Sequence, residues 1–227
     1  MRLLAIDTST ECCSAALRIE GCLLSREVEL ARGHGERILP MIDELLGEAG
    51  VGLRQLQAIA FGRGPGSFTG VRLGASVAQG LAFGAGLGVV AISDLAAVAQ
   101  RVFDDEGSVT RVLVCGDARM KEVYWGCFER GGDGLALGRS PEGVAPAERV
   151  RLPSGWTEAA GAGRGFAAYP ALRMLPGVAV RGGWDGLLPR AAEVARLAVP
   201  ELTAGRLLAP EAAVPVYLRD DVARPQP

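Results

Sequence analysis

Apolar residues along this chain change period more than once, and each change marks an element. Leu3 to Ile6 is a short apolar run closed by Asp7-Thr8-Ser9-Thr10, which predicts a buried strand ending in a polar turn. Cys12 to Ile19 and Leu23 to Leu30 are two further strand-like runs joined around Gly21, so the chain opens as an antiparallel meander. The period then becomes helical. Ile38, Leu39, Met41, Ile42, Leu45, Leu46 and Ala49 share one wide face, and Gly47 and Gly50 mark its end. Pro40 either sits in the first turn or kinks the helix. Leu56 to Phe61 reads as a strand, Val71 to Phe83 as a helix, Val89 to Ile92 as a strand and Asp94 to Phe103 as a helix capped by Ser93. Strands first, then helix and strand in alternation, predict an α/β sheet with a partly antiparallel edge.

The polar run at 104–108 predicts a boundary, giving subdomains 1–105 and 106–227, with a C-terminal segment able to return to the first. Beyond it, Arg111 to Cys115 and Val123 to Phe128 read as a strand pair joined through Asp117-Ala118-Arg119. Residues 131–165 are rich in glycine and proline and carry no clear period. A helix over Phe166 to Met174, a strand over Val178 to Val180 and a helix over Leu188 to Ala198 follow, and Arg224 to Pro227 are expected to fray. No internal repeat is visible in the sequence.

Composition narrows the reading. The chain has 227 residues, 49% hydrophobic and 22% charged, an ordinary globular balance. Its net charge of −2 supplies no overall field for nucleic acid, and Lys121 is the only lysine among 24 basic residues. The five cysteines (12, 13, 22, 115 and 127) lack metal-site spacing and form an odd set, which predicts free thiols and a reducing, cytoplasmic compartment. Met1 to Asp7 is too short for a signal peptide and ends in an acid. Residues 73–93 carry no charge, but glycines at 74, 80, 84, 86 and 88 favour a helix, a turn and a strand over a membrane span.

Four segments could carry chemistry. Gly62-Arg63-Gly64-Pro65-Gly66-Ser67-Phe68-Thr69-Gly70 joins a strand to a helix, as anion-binding loops do. Its spacing is one residue too long for the dinucleotide fingerprint, and the absence of any Gly-Lys pair excludes a Walker A loop. The plainer reading is a turn that lets helix and strand pack closely. Asp7-Thr8-Ser9-Thr10 lies where the actin-like ATPase and sugar-kinase superfamily holds phosphate and metal, or is a hydroxyl turn. His34, the only histidine, cannot build a two-histidine metal site, and a capping or interface role is expected. Asp117, Arg119, Lys121 and Glu122 form a substrate site or a solvated charged turn. The helix after the glycine loop carries two rows of small residues, Gly70-Gly74-Ala78-Ala82 and Ser76-Gly80-Gly84. One row predicts close packing on the sheet, the other a neighbouring helix or a second subunit.

Together the segments LLAIDTST (3–10), HGERILPMI (34–42), GRGPGSFTGVRLGASVAQGLA (62–82), DARMKEVYWGCF (117–128) and PVYLRDDVA (215–223) resemble the TsaB (YeaZ) family. They run almost the length of the chain in the family's order; 131–185 matches loosely. The resemblance implies an actin-like ATPase (ASKHA, ribonuclease H-like) fold: two related subdomains with mixed sheets flanked by helices. It implies a non-catalytic subunit needed for threonylcarbamoyladenosine on tRNAs reading ANN codons, binding and stabilising the catalytic subunit TsaD. TsaE would join a larger complex, the chain would form a homodimer when alone, and tRNA would be met indirectly. No metal or tightly bound cofactor is implied, with ATP or ADP entering only in the complex. The expected interface is His34, Ile38, Met41, Ile42 and Leu45 on one helix with Val71, Gly74, Val77, Ala78 and Leu81 on the other. Asp7, Thr8, Ser9, Gly64, Gly66, Ser67 and Gly70 would be vestigial phosphate loops. Gly74→Leu is expected to block association while leaving the chain folded. The rival is an ATPase or small-molecule kinase using the same loops. A peptidase is disfavoured, because no G-x-S-x-G elbow or metalloprotease motif is present.

Overall fold

The computed structural model describes residues 1–219. The arginine-to-proline tail expected to fray, and the end of the PVYLRDDVA segment, lie outside the described residues. Strands β1 (Arg2–Asp7), β2 (Cys12–Ile19) and β3 (Cys22–Glu29) form the antiparallel meander. Helix α1 (His34–Ala49) follows, then β4 (Ala58–Gly62), α2 (Phe68–Ala85), β5 (Gly88–Ile92) and α3 (Asp94–Asp105). β4 pairs parallel to β1, and β5 parallel to β4, which completes a five-stranded sheet of order β3-β2-β1-β4-β5. Glycines set the ends of the two long helices: Gly50 and Gly86 are left-handed at φ 64° and 69°, where their N–H groups close the last turn. Pro40 lies well inside α1 and does not end it.

The second sheet is built from β6 (Arg111–Asp117), β7 (Glu122–Arg130), β8 (Ala136–Gly138), β9 (Gly143–Pro146), β10 (Ala159–Ala162) and β11 (Val178–Ala179). Its order is β11-β10-β6-β7-β8, with β9 also on β7. Three of these strands fall in the tract that showed no period. The helix expected over 166–174 is instead α4 (Gly165–Ala168) and a separate 3₁₀ turn at Pro170–Met174. Pro170 has no N–H to continue the ladder, and it holds Tyr169 extended at φ −129°. The last helix, α5 (Ala191–Thr203), starts later than expected because Arg190 is extended, and it runs through Pro200.

Each sheet is covered on both faces. α1 and α2 lie on one face of the first sheet, where Ile38, Met41, Ile42 and Leu45 pack with Ile6, Ile59 and Phe61. α5, from the far end of the chain, covers the other face around Val194 and Leu197. α3, from the first half, covers the second sheet instead, packing Val98, Val102 and Phe103 on Val112 and Val114. The remaining face is sealed by Val150, Phe166 and Leu172. No helix among the described residues is long and apolar enough to cross a membrane.

Candidate functional site

A cleft of about 900 Å³ runs between the two sheets, floored by the turn after β1 and the glycine loop before α2. The turn is held from within. Asp7 Oδ1 accepts from the N–H and the hydroxyl of Ser9 at 2.9 and 3.0 Å. Thr8 donates its hydroxyl to the Gly70 carbonyl at 2.7 Å, and the Ser67 N–H donates to the Ser9 carbonyl at 2.7 Å. The glycines make this closeness physically possible. A Cβ on Gly70 would lie 2.1 Å from the Thr8 carbonyl oxygen, and one on Gly66 2.4 Å from that of Ser9. Ser67 caps α2 by accepting from the Gly70 N–H. Of the seven residues expected as vestigial phosphate loops, Ser9, Gly66 and Ser67 line the cleft. Asp7, Thr8, Gly64 and Gly70 are buried beneath it.

Below the loop two carboxyl groups meet. Asp94, at the start of α3, takes the Gly64 N–H on Oδ2 and gives its own N–H to the Gly64 carbonyl. Its Oδ1 and Asp7 Oδ2 are buried without any other partner, and both lie in the space that a Cβ on Gly62 would fill. Two acceptors facing each other without a bond are costly, and a single shared proton removes the cost. Burial pushes the Asp94 carboxyl up from its ordinary value; the Asp7 charge and the hydrogen bond between the two acids push it the same way. Among the described residues no three His, Cys, Asp or Glu side chains converge as a metal site would need.

His34 sits at the lip. Its Nε2 lies 2.8 Å from the Thr10 carbonyl, which ties the start of α1 to the β1–β2 turn. It caps no helix: the residue before it, Gly33, is left-handed and offers no side chain. Across the cleft, the turn at Arg119-Met120-Lys121 has three consecutive non-glycine residues in the left-handed region, at φ 60°, 53° and 64°. Ion pairs span the opening: Arg119 and Arg164 reach Glu11 at 3.3 and 3.4 Å, and Arg164 reaches Glu29 at 2.6 Å. The segment after α5 closes one end. The Val216 N–H donates to the Arg63 carbonyl, and Arg219 binds Glu122 and the Ala118 carbonyl. Burial raises the thiols of Cys12 to about 12 and of Cys13 and Cys127 to about 11, and that of Cys115 as well, so these cysteines act as small apolar groups.

The expected interface residues divide by face, and most need correction. Ile38, Met41, Ile42 and Leu45 are buried against the first sheet, as are Val71, Gly74 and Ala78. They are core, because helical periodicity tells which residues share a face and not what covers it. Val77 and Leu81 are half-buried. The row Gly70-Gly74-Ala78-Ala82 faces inward, and the row Ser76-Gly80-Gly84 faces out. The open face also carries Leu39 on α1 and Phe83, which is 81% exposed. Gly74→Leu cannot report on association alone, since a Cβ there already lies 3.0 Å from Thr8 Oγ1. Three residues escaped sequence reasoning: Phe68, Arg72 and Tyr217, stacked at the cleft rim. The available signal was the i, i+4 spacing of Phe68 and Arg72.

Comparison with known proteins adds to this geometry. Residues 28–172 match the family model described as TsaD: tRNA N6-adenosine threonylcarbamoyltransferase. The tRNA threonylcarbamoyladenosine biosynthesis protein TsaB of Escherichia coli (strain K12) is 43% identical over 228 residues, covering 98% of this chain and 96% of that protein. TsaB of Haemophilus influenzae is 55% identical over 125 residues, which are 55% of this chain and 52% of that one. The solved structure of YeaZ from Pseudomonas aeruginosa shares the fold at a TM-score of 0.87 and 44% identity, covering 96% of this chain and 99% of that one.

Proposed function

Because the chain belongs to the TsaB (YeaZ) family of tRNA threonylcarbamoyladenosine biosynthesis proteins, we propose that it is a non-catalytic subunit which docks onto a TsaD-type transferase and holds it in its active form. The modification would fall on tRNAs reading ANN codons, TsaE would join the assembly, and in the absence of its partner the chain would pair with itself. One observation carries this reading: the open face of α1 and α2. A Cβ added to Gly80 or Gly84 would meet no atom within 4 Å on the outward side, so a partner helix can approach the backbone of α2 closely there. Phe83, next to the strip, and Leu39, on the exposed side of α1, add apolar surface that a lone chain gains nothing by exposing.

The rival reading uses the cleft as a nucleotide site. Against it, the Thr8 hydroxyl is committed to Gly70 and the mouth is bridged by Arg119 and Arg164. ATP or ADP would then enter only within the assembly. Gly80→Leu separates the readings. It fits the empty space and improves helix propensity by up to ~1 kcal/mol, so the chain keeps its fold. Co-elution with the catalytic subunit and tRNA modification should both be lost. Unchanged co-elution would refute docking through this face. Magnesium-dependent ATP turnover by the isolated chain would favour the rival.

A further inference from the structure

The helix face leaves the cleft rim unexplained. Phe68, in the first turn of α2, is 62% exposed and Tyr217 is 46% exposed. Their ring centroids are 6.3 Å apart, with planes inclined at 37°. The Arg72 guanidinium carbon lies 3.2 Å from the Phe68 centroid and 5.0 Å from that of Tyr217. Both halves of the stack are anchored. Helix spacing sets Arg72 beside Phe68, and the bonds of Val216 to Arg63 and of Arg219 to Ala118 and Glu122 fix Tyr217. None of the three belongs to any of the hydrophobic cores. Flat, pre-ordered π-surface is thus turned toward water where the fold does not require it.

Cations without partners flank the stack. Among the described residues Arg72 and Lys121 enter no ion pair, and both are exposed. Lys121 lies in the turn that Arg219 grips, two residues beyond Tyr217. Among the described residues the nearby acids Glu11, Glu29 and Glu122 are already paired.

We propose that this rim binds single-stranded RNA, one unpaired base stacking on the open face of Phe68 or Tyr217 while flanking phosphates meet Arg72 and Lys121. Stacking on an aromatic face accepts any base, and a guanidinium held flat on a ring keeps its N–H edge free for a phosphate. The paired acids leave a local cationic rim on a chain whose net charge is −2. The inference rests on the subunit's place in a tRNA-modifying assembly.

The test uses the full chain, alone and bound to its catalytic partner. The probes are a short fluorescein-labelled oligoadenylate and an unmodified tRNA transcript. Phe68→Ala and Tyr217→Ala should each weaken binding about 10-fold. Arg72→Gln should lower the slope of log K against log salt by about 0.7. Co-elution with the catalytic subunit should be untouched. Wild-type affinity in both aromatic variants, or no RNA binding by the wild type in either form, overturns the proposal. So does loss of the catalytic partner with RNA binding intact, which would make the rim a protein interface. If the wild-type chain never joins the catalytic subunit, the docking reading fails while the RNA measurements on the isolated chain still decide the rim.

Discussion

The two halves of the molecule follow one plan. In the first, the strand order is β3-β2-β1-β4-β5; in the second it is β8-β7-β6-β10-β11, with the same succession of antiparallel and parallel pairs. In each, a glycine-bearing loop after the strand that pairs parallel to the half's first strand (β4 on β1, β10 on β6) presses on the end of that first strand: Gly66 and Gly70 on Ser9 and Thr8, Gly163 and Gly165 on Cys115. The helices differ. The first half has α1 and α2, of 16 and 18 residues. At the matching places the second has a 3₁₀ turn at Ala147–Arg149 and the four-residue α4. Both halves retain a core, and only the first retains long helices with an outward face. The outward helical face proposed for docking is therefore separable from the fold that supports it.

Substitutions can break or sharpen this comparison. Gly70→Ala puts a methyl 2.1 Å from a backbone oxygen, with no flexible side chain to yield, and should cost about 3 kcal/mol in urea unfolding. Its counterpart Gly165→Ala meets the Cys115 oxygen at 2.7 Å, next to a helix of four residues that can shift, and should cost about 1–2 kcal/mol. Equal costs would mean that the second half is as rigidly built as the first. The β1–β2 and β6–β7 turns also differ: only the latter holds non-glycine residues at positive φ. Lys121→Gly should relieve that turn and raise stability by about 1 kcal/mol, read as a higher midpoint in thermal unfolding. The acid pair belongs to the first half alone. Because the folded Asp94 carboxyl is raised, its contribution is complete below the ordinary 3.8 and is lost as pH climbs through the raised value. Asp94→Asn keeps a donor for Asp7 and an acceptor for Gly64. It should flatten the fall in stability as pH climbs above the ordinary carboxylate range and gain ~1 kcal/mol at the upper end. A melting temperature that still falls with pH as in the wild type would exclude a shared proton.

The first half was largely legible because its signals are local. The meander alternates around Gly21, the glycine loop announces a strand-to-helix turn, and Ser93 marks the start of α3. The second half was less so. β8, β9 and β10 have three or four residues each, too few for a period to emerge among glycines and prolines. The internal duplication stayed hidden for a related reason: it survives in strand order and has been lost in helix length. At the site, the glycine loop and the β1–β2 turn stand out as segments, while the bond between them required the fold. Asp94 looks like a first-turn acid, since its partner Asp7 lies on another strand end. The wide face of α1 is apolar, as its period says, but its neighbour is the sheet and not a second protein. Tyr217 gives no signal beyond the family motif.

The exchange of helices, α3 onto the second sheet and α5 back onto the first, bears on how the chain is born. A ribosome that has released only the first subdomain holds a sheet with one bare side, and residues 191–203, needed to cover it, have yet to be synthesised. Neither subdomain can finish before the other has begun, so the nascent protein stays vulnerable to proteases and chaperones until translation is nearly over. Cutting the gene at the apparent boundary would yield two sticky fragments rather than two working modules.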